Sequence, residues 1–183
     1  MLMKKSGYIA IFSAFLLSSF SNEKEITEVK KPEQELMFLI TYDNYSWGEE
    51  HSAYFITTDG KRLNVPEEIL GEHGEMPDDW AEQLIQFSEN TLVECTIPEN
   101  DLAVMYNFVN NIKIEDNPDF KYYADTIYDT GYKTFYLLEK EIDGGYIQQK
   151  ICVSGQDNKY IDDDNIIDFC NFMNENGYFN MIW

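Results

Sequence analysis

Two carboxylates about 3 Å apart cannot both ionise, so such a pair shares one proton and can serve as acid and base together. Asp129, in Asp129-Thr130-Gly131, is the acidic residue of this chain whose neighbours best suit that chemistry. A second copy of the chain would have to supply the partner carboxylate. Thr126-Ile127-Tyr128 precede it loosely in the required way. The apolar-apolar-glycine element that should hold the active loop has its nearest match at Val153-Ser154-Gly155, too close along the chain. Asp and Gly are also the residues that tight turns favour, and a hairpin turn is the preferred reading.

The other candidates are less complete. Asp157 to Asp164 reads DNKYIDDD, and its acids invite a calcium ion. Calcium is held by oxygens from alternating positions of a loop with glycine near its centre. Counted from Asp157, the alternating positions fall on Lys159 and Ile161, and Asp162 stands where glycine is needed. One of Asp162, Asp163 and Asp164 is better employed as the cap of a following helix. His73 sits in an acidic loop with Glu72, Glu75, Asp78 and Asp79, which reads as solvated. His51 follows Glu49-Glu50, with no Ser or Cys at a nucleophile elbow to complete a triad. Gly-x-Ser-x-Gly, His-Glu-x-x-His and phosphate-cradling glycine loops are missing. Cys95 and Cys152 lie in apolar strand patterns and Cys170 on an inward helix face, the places of buried inert thiols. Cys152 and Cys170 could face each other, and an oxidising compartment would permit a disulfide; with three cysteines the pairing stays open. No metal and no cofactor are expected.

Aromatic residues are the unusual feature, with 12 Phe, 13 Tyr and 3 Trp. Most sit where strands are expected, and pleated half-buried surfaces favour them. Tyr45 and Trp47 fall in an expected loop, and Tyr128 and Tyr132 flank an expected turn. These four are the candidate binding surface, for a protein or a sugar.

The elements that position these residues can be read from periodicity. Leu36 to Tyr42 is apolar on both alternating faces and should be a central strand. Asp43 to Glu50 should be a loop, and Ala53 to Thr58 a strand that turns at Asp59-Gly60 into Arg62 to Val65. A helix starts near Asp78 or Asp79, with Trp80, Leu84, Phe87 and Ile85 inward. Thr91 to Ile97 reads as a short strand. Pro98 to Asp101 opens a second helix with the stripe Leu102, Met105, Tyr106, Val109 and Ile112. Lys121 to Tyr128, Tyr132 to Glu139 and Tyr146 to Val153 form a meander joined by short turns. A last helix, from about Asp163 to Asn176, ends at Gly177 with Tyr178 and Phe179 folding back. The fold class is α+β: an antiparallel sheet built from an N-terminal hairpin and a C-terminal three-strand meander, with about three helices packed on it.

The chain has 183 residues, 34 of them acidic and 13 basic, for a net charge of −21. A hydrophobic share of 44% marks a globular domain. That charge argues against nucleic acid and anionic membrane surfaces and favours a basic partner. Residues 1 to 21 have the layout of a secretory signal: Lys4-Lys5, an apolar run from Ile9 to Leu17, and small Ser19 and Ser21 before the cleavage point. The apolar run falls short of the roughly 20 residues of a spanning helix. Residues 22 to 35 read as a charged flexible tether and 36 to 183 as one domain.

The hairpin around Tyr54 to Arg62, the helix carrying Asp101 to Ile112, the Tyr-rich meander and the final short helix together resemble small exported proteins of Gram-positive bacteria with no assigned function. Many of those are anchored through a lipid-bearing cysteine, where this chain has Phe20-Ser21-Asn22. The expectation is an exported, acidic, non-enzymatic domain, monomeric or weakly oligomeric. It would bind another macromolecule, such as a basic protein, at or outside the cell envelope, with no membrane span once the signal is cleaved. The alternatives are an exported acid peptidase of the aspartic family using Asp129, or a sugar-binding module built on its aromatic residues.

Overall fold

Leu36 to Ile40 and Phe135 to Leu138 offer apolar side chains on both sides of the backbone, so a sheet built on them needs cover on both faces. The computed structural model describes residues 29–45, 48–71, 74, 76–93, 96–115, 118–122, 131–155 and 158–180. The expected signal, the first half of the tether, Trp47, His73, Cys95, Tyr128 and Asp129 lie outside the described residues. The strands are β1 (Leu36–Asn44), β2 (Glu50–Thr57), β3 (Arg62–Asn64), β4 (Phe120–Tyr122), β5 (Tyr132–Lys140), β6 (Tyr146–Gly155) and β7 (Lys159–Ile161). The helices are α1 (Glu67–Leu70), α2 (Trp80–Asn90), α3 (Glu99–Asn111) and α4 (Asp164–Glu175). The strands form one antiparallel sheet in the order β3-β2-β1-β5-β6-β7-β4. The α+β class is therefore as expected, and β1 and β5 lie side by side at the centre.

The two faces carry separate cores. On one face α3 and α4 bring Met105, Phe108, Phe169 and Met173 onto Phe38, Ile40, Phe135 and Cys152. On the other, α1 and α2 bring Ile69, Leu70, Trp80 and Leu84 onto Leu39, Phe55 and Leu138. Asp163 caps α4, its carboxylate accepting from the Asn165 and Ile166 amides at 2.9 and 3.2 Å, which is the structural use expected of that acidic run. At the other end Tyr178 and Phe179 donate their amides to the Met173 carbonyl, and Phe179 is fully buried. Cys152 and Cys170 are free, buried and neighbours in the same core. Among the described residues no helix is long and apolar enough to cross a membrane.

Several expectations need correction. The expected loop from Asp43 to Glu50 is shorter than foreseen, since β1 runs on through Asn44 and β2 begins at Glu50, the two strands staying in register to those residues. The first meander strand is not next to β5: its described part, β4, pairs with β7 at the sheet edge. The meander is thus β5-β6-β7, completed by a three-residue strand not foreseen among the acids. Thr91 to Ile97 forms no strand among its described residues, only a single bridge from Thr96 to Lys61, and Leu92 stands fully exposed. The one-turn helix α1 is a further element that periodicity does not announce. The sheet also holds the last tether residues. The Gln34 side chain donates to the Leu138 carbonyl of β5 at 2.7 Å, and Glu35 meets the Lys140 ammonium at 2.8 Å.

Candidate functional site

The α1 and α2 helices cover only part of their face of the sheet. Beyond them the sheet end changes character, because Asp43, His51 and Tyr132 replace apolar residues. The register explains why the three meet. Asp43 lies opposite His51 on β2 and opposite Tyr132 on β5. Residues directly opposite in a ladder point to the same face, so the three form one row across neighbouring strands. His51 Nδ1 is 2.7 Å from Asp43 Oδ1, with side-chain exposures of 10% and 19%. The ionised carboxylate accepts, so the hydrogen bond is donated by an Nδ1–H. Nε2 is buried and without a hydrogen-bond partner among the described residues.

Backbone glycines allow this closeness. Gly74 passes over the pair with φ of +75°, and a Cβ there would lie 3.1 Å from His51 Nδ1 and 3.3 Å from Asp43 Oδ1. At the far side Gly131 leads into β5 directly against the Asp43 carbonyl.

Of the expected surface residues, Tyr45 and Tyr132 are brought together, and both join this row. The Tyr45 ring is 6.4 Å from the Tyr132 ring and meets the His51 ring edge-on at 5.3 Å. Tyr45 is 55% exposed, whereas Tyr132 is half-buried. Trp47 and Tyr128 lie outside the described residues, as does Asp129, so no carboxylate pair is built on it here. Asp43 and His51 are the residues that the sequence reading left out of the site. Beside them lies a cavity of about 350 Å³ walled by Asp43, His51, Asp78, Trp80, Tyr136 and Gln148, among others. Among the described residues no group of three or more His, Cys, Asp or Glu is placed to hold a metal ion.

Burial, then the Asp43 carboxylate and Tyr45, push the Tyr132 phenol up to about 12. Burial raises Tyr54 and Tyr146 to about 12 as well, against the Arg62 charge at Tyr54 and the Leu36 amide at Tyr146. A phenol whose folded value lies above its unfolded value of about 10 stabilises the fold fully below pH 10. That contribution is lost as pH rises toward 12. In an alkaline titration followed by tyrosinate absorbance, part of the 13 tyrosines should therefore ionise late or together with unfolding. Ionisation of all of them in one step near pH 10, with the fold intact, would contradict this environment.

The chain matches no protein family model, no curated protein and no solved structure.

Proposed function

We propose that the protein is an exported acidic binding domain, without catalytic activity of its own, that engages a basic macromolecule at or outside the cell envelope. The polar end of the sheet is the contact surface. The observation that carries this reading is the exposed Tyr45 ring seated on the Tyr132–Asp43–His51 row, in a chain of net charge −21. A rigid aromatic supplies contact area at small entropic cost, and the surrounding negative field steers and selects a positive partner.

The test is affinity capture by residues 22–183 against the producer's secreted and envelope proteins, at low and physiological salt. A basic protein should be retained at low salt and released as charges are screened over about 10 Å. Tyr45→Ser should weaken the retained complex by about tenfold or more, as removal of a central aromatic does. A partner held equally at both salts and equally by the variant would remove this reading. The same exposed ring also suits a sugar, and a flat tryptophan-fluorescence titration across an oligosaccharide panel would set that second reading aside.

A further inference from the structure

Two of the three cysteines of the chain meet inside the core. Cys152 belongs to β6 and Cys170 to α4, and their exposures are 0% and 2%. The irregularity in the β5–β6 ladder turns Cys152 toward α4. Cys170 lies on the buried stripe of α4, between Phe169 and Met173, that packs into the same core. The structure holds both as free thiols. The Cys170 thiol shares a hydrogen bond with the Cys152 thiol, and that bond, then burial, pushes it well above the usual thiol range. Thiols are weak donors and weak acceptors, so this bond adds little to the apolar contacts that already hold α4. What the pair adds is two sulfurs in contact across the seam between helix and sheet.

We infer that Cys152 and Cys170 are a disulfide site, closed as the chain folds in an oxidising compartment, that fastens α4 to β6. The inference takes its compartment from the exported reading above and its partners from the helix–sheet geometry. The oxidant is a disulfide, either a small molecule or a thiol–disulfide exchange protein. One cysteine thiolate attacks a sulfur of that disulfide and releases the first thiol. The other cysteine then attacks the mixed disulfide and releases the second. Two protons and two electrons thus pass to the oxidant, and the Cys152–Cys170 bond forms. Burial sets the order of events. Only a thiolate attacks, and in the folded chain neither thiol is exposed. Exchange therefore runs before α4 docks, and the docked helix then shields the bond from reductants. Cys95 takes no part and stays a thiol.

The test is to refold the reduced, unfolded protein in a buffer rich in oxidised glutathione, then alkylate it and map its peptides by mass. The expected product links the Cys152 and Cys170 peptides and carries one alkylated cysteine, Cys95. The linked chain should melt about 6–12 °C above the reduced one, because the cross-link removes freedom from the unfolded state. The reduced chain placed in the same buffer after folding should link about tenfold more slowly or less, since its thiols must first be uncovered. Cys95→Ser should link as fully as the parent. Free Cys152 and Cys170 after oxidative refolding, or a bond to Cys95 in place of theirs, would overturn the inference. So would linkage as fast in the folded chain, or a linked chain that melts no higher than the reduced one. The two readings fail separately. A linked product from refolding, for a chain that the producer keeps inside the cell, would keep the disulfide site and sink export. A secreted chain with both thiols free would keep export and sink the disulfide.

Discussion

Phe169→Ala should destabilise the protein by about 3–5 kcal/mol. Phe169 lies flat on Phe108 with ring centres 3.8 Å apart and planes within 7°. Its ring is also 5.4 Å from Phe38 and 6.1 Å from Phe135, so one side chain joins α4, α3, β1 and β5. Truncation removes the burial of a whole phenyl group and several ring–ring contacts, each contributing about 0.5–1.5 kcal/mol beyond area. Collapse into the gap is hindered because Phe38 and Phe135 are fixed in the central strands. A small domain has a total stability of about 5–15 kcal/mol, so the variant should unfold at much lower denaturant with an unchanged slope. Phe172→Ala is the comparison: Phe172 is only partly buried, 5.9 Å from Phe169, and should cost clearly less. Equal losses from the two variants would mean that α4 does not pack on the sheet through Phe169.

That core is legible in the sequence because its signals are local. The stripe Leu102, Met105, Tyr106 and Val109 and the stripe Ile166, Phe169, Cys170 and Met173 follow helical spacing. The apolar runs in β1 and β5 suit only central strands. What escapes depends on partners far along the chain. A register shift in β6 places both Ile151 and Cys152 toward α4. Plain alternation from Tyr146 would put Cys152 on the opposite face, with Tyr146. Phe120 to Tyr122 is short and half-exposed, and its pairing with Lys159 to Ile161 has no turn to announce it. Thr91 to Ile97 shows the reverse error: alternating residues look like a strand, but β3, the edge beside its one bridge, is only three residues long.

The site is half legible for the same reason. Tyr45 stands out as an aromatic in a polar segment, and Tyr132 as a neighbour of a turn. Asp43 and His51 look like loop residues, because polar residues at a strand end carry no apolar alternation. A usable signal exists: Thr41 and Asp43, like His51 and Ala53, are spaced by two, and extending both strands past their apolar parts brings Asp43 opposite His51.

Gly131→Ala should cost about 2–5 kcal/mol and disturb the site as well as the fold. Gly131 has φ of +67°, and a Cβ built there would lie 2.4 Å from the Asp43 carbonyl and 3.0 Å from the Asn44 Cβ. The left-handed backbone alone costs a non-glycine residue about 1–2 kcal/mol. The clash adds about 1–3 kcal/mol, because the obstacle is strand backbone and cannot rotate away. Relief requires the end of β1 to move from β5, which pulls Asp43 from His51 and separates the Tyr45 and Tyr132 rings. Gly144→Ala isolates the two causes. Its φ is +95°, but a Cβ there meets nothing within 4 Å, so only the backbone cost should appear. Denaturation midpoints for both variants, with the His51 ring signals as the local probe, check the argument. Gly131→Ala should lose more stability than Gly144→Ala and shift His51, while Gly144→Ala leaves His51 in place. Equal losses with His51 unmoved would mean that the β1–β5 end is slack, and a slack end cannot hold the row of residues on which the binding surface depends.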